Sequence, residues 1–133
     1  MSRIVSKPLS KSFEIEDPEG SWNVGFRQMT EGDYIEVGDL TSQSDYLYDE
    51  NGRFIGTRVL RNNRRAERRA IWRTLSSCDL TYEDGTLIFE AKDGLVRKEM
   101  NETKFNERWD LLPQALADVI VEKFYVTNPP EGE

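Results

Sequence analysis

The chain has 133 residues, a net charge of −7, no histidine and a single cysteine, Cys78. That length suits one domain around one core. The composition excludes histidine acid–base or nucleophile chemistry, histidine metal ligands, an intrachain disulfide and a cysteine zinc cluster.

Residues 1–10 read as a flexible arm, with three serines, a proline and only short apolar pairs. The arm carries no apolar run of signal-peptide length, and no later segment reads as a membrane span, so a reducing cytoplasm is the default expectation. Phe13-Glu14-Ile15-Glu16 alternates apolar and charged residues, as a half-buried strand does. Asp17 to Ser21 is a turn in which Pro18 fixes φ and Gly20 accepts a positive φ. Trp22, Val24 and Phe26 then alternate with Asn23, Gly25 and Arg27. The pattern predicts an antiparallel hairpin with Phe13, Ile15, Trp22, Val24 and Phe26 on one buried face.

Thr30-Glu31-Gly32-Asp33 has the chemistry of a helix start, and Gly38 that of a stop. Between them Tyr34, Ile35, Val37 and Leu40 fit a short helix loosely and a strand as an alternative. Tyr46-Leu47-Tyr48 and Arg53-Phe54-Ile55 flank Asp49-Glu50-Asn51-Gly52, and Asn-Gly between apolar runs predicts a second hairpin.

The stretch Arg53–Arg73 holds eight arginines and one glutamate, a charge of +7 that leaves −14 for the rest of the chain. Its periodicity predicts a helix from Thr57 or Val59 to Leu75. Val59, Leu60, Ala66, Ala70, Ile71 and Leu75 fill one half of the wheel and arginines most of the other. Trp72 falls in the arginine half, where it reads as a stacking platform beneath Arg65, Arg68 or Arg69. Three readings of this face stand side by side: a solvated surface neutralised by acids elsewhere, a docking face for a carboxylate-bearing protein, and a nucleic-acid grip. The −14 remainder opposes the last. Arg61, Arg65, Arg68, Arg69 and Trp72 are the candidate partner-binding residues.

Leu80-Thr81-Tyr82 and Leu87-Ile88-Phe89 around Asp84-Gly85 predict a further short hairpin, and Asp93-Gly94 a turn. Phe105, Trp109 and Leu112 share one face of a helix from about Thr103. Pro113 suits the first position of another helix, carried on by Leu116, Val119, Ile120 and Phe124 and stopped by Asn128-Pro129-Pro130. The expected architecture is α+β: N-terminal antiparallel hairpins packed on a central arginine-rich helix, then a short hairpin and C-terminal helices. The domain spans 11–128, with a loose acidic tail at 129–133.

The acids supply no catalytic constellation. Surface positions on strands and turns account for Glu14, Glu16, Asp79 and Asp84. Asp49 to Gly52 lacks the ligand periodicity of a calcium loop, and the glycines form no phosphate cradle. We therefore expect no enzyme activity, no metal and no cofactor.

Read whole, the chain resembles the tail assembly chaperones of long-tailed double-stranded DNA bacteriophages. The likeness rests on Trp22-Asn23-Val24-Gly25-Phe26-Arg27-Gln28-Met29-Thr30-Glu31-Gly32, then a basic helix with Trp72. Cys78-Asp79-Leu80-Thr81 with Asp84-Gly85 follows, and then Trp109-Asp110-Leu111-Leu112-Pro113, a helix and Asn128-Pro129-Pro130. The resemblance implies a non-enzymatic chaperone in the cytoplasm of the infected bacterial host. It would hold the tape measure protein in solution until tail tube protein polymerises around it, and would be absent from the mature virion. The implied partners are the tape measure and tail tube proteins, with self-association plausible, no membrane, and nucleic acid disfavoured. The alternatives are a structural virion component, such as a tail or head-completion protein, and a small nucleic-acid binder using the arginine helix. The family has no motif that assigns contacts position by position, so the candidate residues rest on physical grounds alone.

Overall fold

The computed structural model describes residues 7–38, 43–60 and 64–129. The alternating N-terminal segments form β1 (Ser10–Asp17) and β2 (Gly20–Arg27), paired antiparallel with Phe13 opposite Val24 and Ile15 opposite Trp22. The expected face forms: Trp22, Val24 and Phe26 are buried, and Phe13 and Ile15 pack on them. β1 begins at Ser10, and the Leu9 carbonyl accepts from Gln28 N at 2.8 Å, so the end of the stretch read as an arm belongs to the sheet.

The short helix α1 (Glu31–Val37) starts where the cap chemistry places it. Thr30 Oγ1 accepts from Asp33 N at 3.3 Å, and Asp33 Oδ2 accepts from Thr30 N at 2.9 Å, a closed capping box. Gly38 ends it at φ 80°. β3 (Gln43–Tyr48) and β4 (Phe54–Leu60) form the hairpin expected around Asn51-Gly52, as a separate two-stranded sheet. Asp49 Oδ1 holds that turn by accepting from Asn51 N and Arg53 N, both at 2.9 Å.

The arginine helix is shorter than its periodicity suggests. α2 spans Arg64–Thr74; Val59 and Leu60, expected in it, lie in β4. The segment Ile55–Leu60 contains Ile, Thr and Val, whose branched side chains favour a strand. Two asparagines, a residue type that favours helix starts, precede Arg64 in sequence. At its other end Leu75 is not the last helical residue but the first of β5 (Leu75–Cys78), which pairs antiparallel with β2 and completes the order β1-β2-β5. Gly25 makes the tight passage there possible: a Cβ on it would lie 2.8 Å from the Ser76 and Ser77 hydroxyl oxygens.

The expected third hairpin contracts to one bridge, Thr81 to Leu87, because Ile88 and Phe89 turn into the core instead of extending a ladder. Asp93 and Gly94 both take positive φ in the next turn, and a short 3-10 helix, Val96–Lys98, buries Val96. α3 (Glu102–Asp110) is capped by Asn101, whose Oδ1 accepts from Lys104 N at 2.8 Å. α4 (Gln114–Thr127) follows Pro113. Asn128 ends α4 and ties it to the sheet, accepting from Met29 N at 2.8 Å and donating to Arg27 O at 3.3 Å.

The core joins two aromatic groups. Phe26 meets Phe124 edge-on between the sheet and α4, with ring centroids 5.7 Å apart. Phe89, Phe105 and Trp109 cluster below α3, with Phe89 5.0 Å from Phe105. Ala70, Ile71 and Leu75 connect the two.

One polar cluster lies within this frame. Asp33 is 1 % exposed and accepts from Arg27 NH1 at 2.8 Å, Arg27 NH2 at 3.3 Å and Arg73 Nε at 2.9 Å. It thereby joins β2, α1 and α2. Burial pushes its carboxyl upward, but the hydrogen bonds from Arg27, the Thr30 backbone and Arg73, with the Arg27 charge, hold it down at about 2.

Candidate functional site: an arginine-rimmed groove along α2

Helix α2 turns its buried stripe, Ala66, Ala70, Ile71 and Thr74, to the core, so its arginines project along the surface toward α3 and α4. Most of them are engaged within the chain. Arg68 pairs with Asp110 at the end of α3. Arg69 grips Glu102 at its start, Nε to Oε2 at 2.8 Å and NH2 to Oε1 at 3.2 Å, and donates to Glu36 O at 3.3 Å. The Glu102 hydrogen bond and charge raise the Arg69 pKa further. Arg73 belongs to the Asp33 cluster. Arg64 and Arg65 are exposed, and neither forms an ion pair among the described residues.

The candidate residues thus divide. Arg65, Arg68 and Arg69 share one surface. Arg61 lies outside the described residues. Trp72 is no stacking platform: it is half-buried against the core, and its Nε1 donates to Met100 O at 2.8 Å. On a bare helical wheel it sits among arginines, but the Val96–Met100 segment packs over that side of α2 and turns an outer position into an inner one.

Between α2, the end of α3 and the first turns of α4 lies a cavity of about 360 Å³. It is lined by the half-buried Trp109, Leu112 and Val121 over the buried Ile71, by Arg64, Arg65 and Arg68 of α2, and by Asp110 and Asp118. Glu67 is buried at its edge, where the Tyr125 hydroxyl donates to Oε2 at 2.6 Å. Burial and this carboxylate neighbour push the Tyr125 phenol up, keeping it a neutral donor. A second hollow of about 260 Å³ lies on the far side of Arg65 and Arg68, against Arg69, Glu102 and Asn106. Leu111, at the α3–α4 turn beside the groove, is 79 % exposed. A mixed groove that sets half-buried Trp109, Leu112 and Val121 beside exposed arginines suits an amphipathic protein segment: its apolar anchors meet those side chains and its acids meet Arg64 and Arg65.

Sequence reasoning singled out neither Arg64 nor the apolar lining. Trp109 and Leu112 were legible as one predicted helix face, although α3 ends at Asp110 and leaves Leu112 in the turn before α4, and Ile71 and Val121 join them only through packing. Cys78 is 5 % exposed, and burial pushes its thiol up to about 11, the state of an unreactive core cysteine. Among the described residues, no group of three or more Asp, Glu, His or Cys is placed to hold a metal ion, and no helix is long and apolar enough to cross a membrane. Searches against protein-family models, curated proteins and solved structures find no match to this chain.

Proposed function

We propose that this protein is a non-enzymatic tail assembly chaperone of a long-tailed bacteriophage. It binds helical segments of the tape measure protein in the host cytoplasm, keeps them soluble until tail tube protein polymerises, and leaves before the virion is complete. One observation carries the reading: the groove beside α2 sets half-buried Trp109, Leu112 and Val121 next to two arginines, Arg64 and Arg65, that have no ion-pair partner among the described residues. A helical partner with apolar anchors at i, i+3 and i+4 and an acidic flank matches both features. The resemblance of the chain to such chaperones gives the partner its name.

The test is co-expression with the cognate tape measure protein. Its soluble fraction rises with the wild-type chain and returns to baseline with the double variant Arg64→Glu, Arg65→Glu. A soluble fraction unchanged by the wild-type chain refutes the proposal. A second reading, a structural virion subunit, is favoured by the β3–β4 hairpin, which exposes Tyr48, Phe54 and Ile55. Detection of the chain in purified particles decides for that reading.

A further inference from the structure

The Asp33 cluster holds more positive charge than it neutralises. Besides Arg27 and Arg73, Arg97 from the short 3-10 helix reaches toward Asp33, with NH1 3.9 Å from Oδ1, beyond hydrogen-bond range. Three guanidiniums therefore surround one carboxylate, an excess of two positive charges. Burial, together with the charges of Arg73 and Arg27, works against the Arg97 cation, and the Asp33 carboxylate acts in its favour. Arg27 Nε is closed off from solvent with no acceptor among the described residues. Its terminal nitrogens are committed to Asp33, Gln28 O at 3.1 Å and Arg73 O at 3.1 Å.

The rest of the chain leaves this excess standing. Among the described residues, Asp33 is the one carboxylate that pairs with these guanidiniums. The cluster is not sealed: the side chains of Arg73 and Arg97 keep 17 % and 30 % of their surface exposed, whereas Asp33 keeps 1 %. Guanidinium groups that are partly desolvated and face solvent along one edge bind oxyanions strongly. Their N–H forks match the oxygen spacing, and water competes less there than at an open surface. Asp33 holds Arg73 by its Nε at 2.9 Å, so that donor is ordered before a ligand arrives.

We propose that Arg73 and Arg97, oriented by Asp33 and Arg27, form a binding site for one small tetrahedral oxyanion of the phosphate class. The site is distinct from the groove beside α2 and does not depend on the chaperone reading. The bound anion completes the charge balance of the cluster and clamps the 3-10 helix to α2 and α1. It thereby couples the segment Val96–Met100, which covers Trp72, to the sheet.

The test is calorimetric titration of the full chain with inorganic phosphate, together with its thermal unfolding midpoint, against sodium chloride at matched ionic strength. Phosphate binds the wild type at one site and raises the midpoint saturably; chloride does neither. Arg97→Gln abolishes the saturable response while the far-ultraviolet spectrum is unchanged, because Arg97 makes no short hydrogen bond in the cluster. A wild-type response to phosphate no larger than to chloride, or an Arg97→Gln variant that keeps the response, overturns the site. Acetate binding as tightly as phosphate overturns the tetrahedral class.

Discussion

Replacing Asp33 by asparagine tests how this fold is held together. The carboxylate closes the α1 capping box and receives three hydrogen bonds from Arg27 and Arg73 while almost wholly buried. Holding its pKa at about 2, against an ordinary 3.8, makes the ionised form about 2.5 kcal/mol more favourable in the fold than in the unfolded chain. Substitution costs more than protonation: it removes the counter-charge of Arg27 and Arg73 and also turns an NH2 donor toward guanidinium N–H groups that a carboxylate oxygen had accepted from. Breaking buried pairs in this way costs about 3–5 kcal/mol. A single domain has about 5–15 kcal/mol in total, so Asp33→Asn consumes a large share of it. Urea unfolding followed by tryptophan fluorescence reads the loss directly: at a slope of about 2 kcal/mol per M, the midpoint falls by roughly 1.5–2.5 M. The same group sets an acid limit. Because the folded-state pKa is depressed, its stabilisation is fully present above pH 4 and fades as pH falls from about 4 to about 2. Asp33→Asn should flatten this part of the pH profile. A loss below about 1 kcal/mol, or an unchanged acid limb, would refute the view that this carboxylate locks β2, α1 and α2 together.

Other residues give sharper local tests. Trp72→Phe keeps the apolar contact but leaves Met100 O without its indole donor, and should cost about 1–3 kcal/mol in the same urea assay. The double variant Arg64→Glu, Arg65→Glu should change stability by no more than about 0.5 kcal/mol, since both side chains are exposed and unpaired among the described residues. Its effect should appear in partner capture alone. Cys78 should react with a thiol reagent orders of magnitude more slowly in the native protein than in urea, because burial both shields the sulfur and disfavours the thiolate.

Where local chemistry decides structure, the sequence was readable. The β1–β2 hairpin follows from strict alternation around Pro18 and Gly20. The cap chemistry of Thr30 and Asp33 marked a helix start while the residues after it left a strand open as the alternative, and the C-terminal helices follow from apolar spacing punctuated by Pro113 and Asn128. The reading failed where one segment satisfied two periods. Val59 and Leu60 fit the apolar side of a helical wheel, yet they belong to a strand, because hairpin pairing with β3 competes with helix propagation. Leu75–Cys78 carries no alternation to mark it, and its strand identity comes from the waiting edge of β2.

The candidate site follows the same division. The sequence by itself determined that arginines would line one side of α2, that no histidine chemistry was available, and that the domain would be α+β. Only the tertiary structure decided which arginines are spent. Arg68, Arg69 and Arg73 find carboxylates 33 to 42 residues away in the chain, Trp72 is covered by the Val96–Met100 segment, and Arg64 and Arg65 are left facing a groove. A charge in sequence has no assigned partner. Burial and three-dimensional proximity set whether it is neutralised, desolvated or open to a ligand, and those are properties of the assembled fold.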